Sequence, residues 1–141
     1  MAEWASGGAL NASMIPLVQD LVTRYRVTHV LWRQGESDFA LKTDPLHYKG
    51  RFLSFVETLR ANGVDAPVFV STATRCLPGW SELNAIRATQ RELASDYPGL
   101  KPGVDTDKLF AAQDRYDDCH FSESGEVKTA KAWAAILTQD R

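Results

Sequence analysis

Stretches of helical periodicity alternating with short, continuous apolar runs predict an α/β layer fold on a parallel sheet. Three observations support this. Apolar residues recur at helical spacing from Leu10, Leu46, Leu83 and Val127; the runs 28–32 and 67–71 are apolar and partly β-branched; Gly, Pro and Asn punctuate the gaps. The chain has 141 residues, 44% hydrophobic and 24% charged, which suits one soluble domain over 1–141 with no repeat or linker.

The elements follow in order. Leu10, Met14, Leu17, Leu21 and Tyr25 mark the face of a first helix, with Asn11 available as its cap and Pro16 tolerable in the first turns. Residues 28–32 are short and bounded by Gly35, so they read as a buried strand. Leu46, Phe52, Phe55, Val56 and Leu59 mark a second helix that Asn62-Gly63 ends with a left-handed cap. Residues 67–71 form the next strand. After the turn Leu77-Pro78-Gly79-Trp80, the residues Leu83, Ile86, Gln90 and Leu93 fit a third helix, closed by Tyr97-Pro98-Gly99. A short strand over 100–104 follows. Ser122 caps a last helix with Val127, Ala130, Trp133, Ala134 and Leu137 inward; Trp32 and Trp133 read as core.

Sixteen basic against eighteen acidic residues give a net charge of −2, too balanced for the footprint of phosphate-backbone binding, so nucleic acid is excluded as a partner. No apolar stretch approaches the ~20 residues that span a bilayer, and no secretory pattern opens the chain. The chain as given reads as cytoplasmic, although a longer parent could be exported. Cys76 and Cys119 are too few for a disulfide scaffold and lack metal-type spacing, so free buried thiols are the default reading; a bridge becomes credible in an exported parent. His29, His47 and His120 show no ligand spacing, which argues against a metal site, and no cofactor motif is present.

Open parallel sheets bind ligands outside the carboxyl ends of their strands, where two motif segments fall. Asp117 stands three residues before His120, a spacing at which the carboxylate can fix the imidazole tautomer and leave Nε2 to take a proton from a hydroxyl. Gln34 can offer its amide to a developing oxyanion. Glu36 and Asp38 can shape the Gln34 loop by bonding its backbone amides. Arg75 can contact a substrate carboxylate or hydroxyls, or pair with Asp117, Asp118 or Glu36. Gly35, Glu36 and Arg75 are the candidate substrate-binding residues, and His120, Asp117 and Gln34 the catalytic ones.

The string Trp32-Arg33-Gln34-Gly35-Glu36-Ser37-Asp38, with Asp117-Asp118-Cys119-His120-Phe121-Ser122, resembles the SGNH-hydrolase superfamily in its carbohydrate-esterase, sialate O-acetylesterase-like branch. The resemblance spans nearly the whole chain. It implies a three-layer α/β/α, flavodoxin-like fold, a serine nucleophile, Asp117 and His120 as its triad partners, Gln34 in the oxyanion hole, and removal of acetyl groups from sugar hydroxyls. It also implies that the chain is N-terminally truncated. The family's glycine-x-serine-asparagine segment would precede the matched region and is absent, and Asp118 stands where glycine is usual. Glu3–Gly8 is similar to the stretch after the family's glycine block, which makes Gly7 or Gly8 the stand-in for it. Ser6, Ser13, Ser37 and Ser71 are substitute nucleophiles by number only, with Ser37 nearest the site.

Two expectations follow. The strand at 28–32 has an open edge, which invites pairing with another chain and a homo-oligomer. Without its serine the chain alone should be almost inactive. An acetylesterase acting on acetylated carbohydrate is therefore set against a non-catalytic remnant that binds carbohydrate or another subunit. A glycosidase using Glu36 and Asp38 fits poorly, since a loop spacing of two rarely places carboxylates across a sugar bond.

Overall fold

The computed structural model describes residues 1–76, 78–109 and 111–140. Leu77 of the expected turn lies outside them. Three strands, β1 (Val30–Trp32), β2 (Val68–Thr72) and β3 (Leu100–Asp105), pair in parallel in the order β1-β2-β3. The register sets Val30 beside Val68 and Trp32 beside Val70, then Val68 beside Leu100 and Val70 beside Pro102. Pro102 donates no ladder bond, which the edge position of β3 tolerates. This is the expected α/β fold, consistent with a flavodoxin-like arrangement.

Among the described residues five α-helices flank the sheet: α1 (Ala9–Arg24), α2 (Glu36–Ala40), α3 (Pro45–Ala61), α4 (Ala85–Asp96) and α5 (Glu123–Gln139). Helix α3 starts where Pro45 presets the first turn and Asp44 accepts the amides of Leu46 and His47, each at 3.0 Å. It stops at Gly63, whose φ of +85° supplies the left-handed cap. Asn84 caps α4 by accepting the Arg87 amide at 2.9 Å. The short helix α2 was expected to be loop.

The main core lies between the sheet and α1, α3 and α4. Trp32, Tyr48, Phe52, Phe55, Leu59, Val68, Val70, Leu93 and Leu100 are buried together there, with Trp32 and Phe55 centroids 4.4 Å apart. Helix α5 packs against β3 on the other face, so closely that a Cβ on Gly103 would come within 2.7 Å of Trp133.

Several expected faces are corrected. Helix α1 packs through Met14, Val18 and Val22, leaving Leu10, Leu17, Leu21 and Tyr25 exposed. Asn11 is not its cap; it lies inside the helix, buried, and donates to the Trp4 carbonyl at 2.8 Å. Leu83 faces solvent because it precedes Asn84, which begins α4, and Leu46, in the first turn of α3, is exposed as well. On α5, Val127, Ala130 and Ala134 are exposed and Trp133 and Leu137 only half-buried, because among the described residues no second helix shares that face of the sheet. Trp133 therefore lies outside the main core. Among the described residues strand β1 pairs on one side only, and Leu31 at its middle is 44% exposed.

Candidate active site

Both motif segments lie at the carboxyl ends of the strands. Residues 33–38 leave β1, residues 73–76 leave β2, and 115–122 run into α5.

The loop 115–122 is built on Asp117. One carboxylate oxygen accepts the amides of Cys119 at 2.7 Å and His120 at 2.5 Å; the other meets His120 Nδ1 at 2.8 Å. These bonds, that to the His120 side chain first, hold the Asp117 carboxyl down to about 2. With Nδ1 engaged, Nε2 is directed away, and among the described residues nothing bonds it. The ring is 64% exposed at its side chain and stacks on Tyr116, 5.6 Å between centroids. The loop ends at Ser122, which accepts the Gly125 amide; Gly125 itself has no room for a Cβ, which would sit 2.2 Å from the Asp114 carbonyl. Asp114, buried beneath, accepts from Lys128 at 2.6 Å, Ser124 at 2.8 Å and the Ala111 amide at 2.9 Å. Those bonds, led by that of Lys128, keep its carboxyl below the ordinary range.

The segment after β1 is organised differently. The Gln34 side-chain nitrogen donates to Asp38 at 2.6 Å, and the same carboxylate oxygen meets the Met1 amino group at 2.5 Å. Burial pushes the Asp38 carboxyl up, but the bonds from the amino group, Gln34 and Thr43 outweigh it and hold it low. Asp38 thus secures the Gln34 side chain and the Met1 amino group rather than the amides of the Gln34 loop expected of it. Glu36 pairs with Arg33 at 2.5 Å. Gly35 admits no side chain: a Cβ would lie 2.2 Å from Gln90 Nε2 and 2.3 Å from the Ala73 carbonyl.

Residues missed at the sequence level tie these loops together. Gln90, buried on α4, donates to the Gln34 carbonyl at 2.8 Å and the Tyr48 hydroxyl at 3.1 Å while accepting the Ala73 amide at 3.0 Å. Its signal was present: an amide among the apolar residues of a core-facing stripe. Asp107, also buried, accepts the amides of Thr74 and Arg75 at 2.8 Å and pairs with buried Arg87 at 2.9 Å. Arg115 donates to the carbonyls of Cys119, Arg75 (3.2 Å) and Thr106 (3.2 Å), joining three loops. Burial first, then the nearby Arg75 charge, pulls the affinity of Arg115 for its proton below the arginine norm. Nothing in the sequence around Arg115 announced this.

Cys76 and Cys119 are bridged, which corrects the default reading of free thiols. The bridge forms because parallel pairing brings the β2 loop beside 115–122, a proximity that 43 residues of separation conceal.

The two motifs meet at Phe121, over which the Arg33 guanidinium sits at 4.1 Å. Their chemical side chains do not bond: among the described residues no hydrogen bond joins Gln34 to His120 or Asp117. Gln34 and Ser37 instead line a hollow of 350 Å³ with Met1, Trp4 and Asp38. Arg75 lies over the Trp80 ring at 5.8 Å and, among the described residues, has no carboxylate partner, so the alternative pair with Asp117, Asp118 or Glu36 is not formed. No three His, Cys, Asp or Glu side chains converge among the described residues as metal ligands would. No helix there is long and apolar enough to cross a membrane.

Neither a curated protein nor a solved structure matches the chain. A family model does: the one described as carbohydrate esterase, sialic acid-specific acetylesterase, covers residues 1–139. With its parallel sheet and the Asp117–His120 loop at the sheet's carboxyl rim, this chain belongs to that carbohydrate esterase family.

Proposed function

We propose that the chain supplies the base half of an acetyl-ester hydrolase acting on acetylated carbohydrate. Family membership supports an acetylesterase-like function and that substrate class. The observation that carries the mechanism is the 2.8 Å contact between Asp117 and His120 Nδ1, with Nε2 open to solvent. Asp117 fixes the tautomer, His120 takes a proton from the attacking hydroxyl and returns it to the leaving sugar oxygen, and the Asp117 carboxylate stabilises the imidazolium between those steps.

Gln34 is the oxyanion donor in this reading. A primary amide has two N–H groups, and Asp38 takes one, which leaves the second for the substrate. Arg75, with Gly35 and Glu36, borders the substrate side; its unneutralised guanidinium suits a substrate carboxylate or hydroxyls. In this reading the nucleophile is a serine supplied by another segment, since the family's glycine-x-serine-asparagine motif does not occur within residues 1–141. Without it, His120 acts on water directly, and the rate is small.

Turnover of an aryl acetate by the purified chain, beside His120→Ala, is the test. A slow rate that depends on His120 is expected. Equal rates would remove catalysis from this chain and leave the second reading, a non-catalytic remnant that binds carbohydrate or another subunit, favoured by the bonds that hold the Gln34 side chain away from His120.

A further inference from the structure

We propose that the Cys76–Cys119 disulfide and Arg115 are positioning residues for His120, and that the bridge makes this positioning redox-dependent. Cys76 follows Arg75 directly and Cys119 precedes His120 directly, so the bond joins the two loops next to the groups that would meet substrate. It rests on the reading of His120 as the base.

The bonds divide into two sets. Those that build the Asp117–His120 couple are local: Asp117 to the amides of Cys119 and His120 and to Nδ1, with the Tyr116 amide donating to the His120 carbonyl at 3.2 Å. None of them needs the bridge. Those that set where the couple stands against the β2 loop include, among the described residues, the disulfide and the carbonyl bonds of Arg115 to Cys119 and Arg75. Opening the bridge therefore leaves the couple whole and loosens its placement. Both cysteines are only half-buried, and Tyr116, Asp117, Asp118 and His120 around Cys119 are exposed, so a soluble dithiol can reach the bond.

The reduction is ordinary thiol exchange. A thiolate of the dithiol attacks one cysteine sulfur, the S–S bond breaks, and the other cysteine leaves as a thiolate and takes a proton. The dithiol's second sulfur then displaces the first cysteine from the mixed disulfide, which also takes a proton. Two electrons and two protons pass to the protein, and the dithiol ends as a cyclic disulfide.

Hydrogen–deuterium exchange and His120 ring resonances, followed on the purified chain with and without dithiothreitol, test this. Reduction is expected to speed exchange of amides 115–121 at least tenfold while amides 68–72 stay protected. Asp117→Asn is expected to shift the His120 ring resonances in both redox states. The double variant Cys76→Ser, Cys119→Ser should match the reduced chain and ignore the reductant, and Arg115→Lys should hold the loop better than Arg115→Ala.

Three results would overturn it: exchange unchanged on reduction, protection lost at 68–72 together with the loop, or an Asp117→Asn effect that vanishes on reduction. The first makes the bridge inert, the second makes it a staple of the whole fold, and the third places it within the couple itself. Neither readout needs turnover, so a chain that hydrolyses no ester and a loop that ignores dithiothreitol are separate results.

Discussion

The loop after β1 and the loop before α5 both sit at the carboxyl rim of the sheet, but they are held in opposite ways. Gly35 and Asp38 are buried, and the segment's bonds run inward to Gln90, Tyr48 and the amino group of Met1. Asp117 and His120 are exposed, and their bonds run to each other and to their own backbone. The first loop is an architectural joint whose chemistry is partly engaged by its own neighbours. The second is a self-contained device placed by a disulfide and an arginine. A motif that is long and specific in sequence can therefore owe its length to packing, while a shorter one presents an exposed imidazole.

The largest effect should come from the joint. Gly35→Ala would set a methyl against the Ala73 carbonyl and the Gln90 amide, and backbone on one side cannot yield. Loss of about 3 kcal/mol is expected, the upper end for overpacking, read as a lowered urea midpoint. An unchanged midpoint would mean that the loop relaxes freely and is no joint. Gln90→Leu keeps the volume but orphans the Ala73 amide and leaves the carbonyl of Gln34 with the Tyr48 hydroxyl alone. It should cost about 2 kcal/mol, the penalty for leaving buried polar groups unpaired. In both variants the Asp117–His120 couple should keep its resonances, since it shares no bond with Gly35 or Gln90.

How much of this was legible follows the same division. Strands β1 and β2 showed because continuous apolar runs bounded by Gly and Pro have few other homes. The Asp117–His120 pair showed because it is local, a spacing of three within one loop. Arg115, Asp107 and the Cys76–Cys119 bridge did not show, because each acts between loops that only the parallel pairing of β2 and β3 brings together. The face of α1 was misread for a related reason. It carries two apolar stripes, and periodicity cannot tell the one under Met14, Val18 and Val22 from the one through Leu10, Leu17 and Leu21.

The exposed device should respond to pH alone. Asp117 is held down to about 2 by His120 and two backbone amides, well below an unfolded aspartate. A carboxyl with a lowered folded value binds its proton later than the unfolded chain does. Its support for the loop is thus complete above about pH 4 and is lost as pH falls through 2. His120 and Tyr116 ring resonances followed from pH 6 downward should shift together with a midpoint near the Asp117 value of about 2. Asp117→Asn should abolish that transition and leave Gln34 and Asp38 untouched. A transition that persists in the variant would assign it to another carboxyl and break the contrast between the loops.

The smallest effect on stability concerns the open side of β1, where the joint begins. Leu31 is 44% exposed and helps line a 340 Å³ groove with Trp4, Met14, Val18, Leu21 and Val30, so the unpaired strand edge continues onto α1. An edge of this kind pairs with another chain unless charge or proline blocks it, and no charged residue stands within Val30–Trp32. Sedimentation should show a monomer–dimer equilibrium that shifts toward monomer in Leu31→Lys. The unfolding free energy read from urea titration should change by less than about 0.5 kcal/mol, as for most surface substitutions. If the variant instead loses stability while the wild type stays monomeric at every concentration, Leu31 supports the strand itself. The joint would then extend to the edge of the sheet, and the contrast between an inward-bonded loop and an outward-facing one would begin at β1 rather than at Gly35.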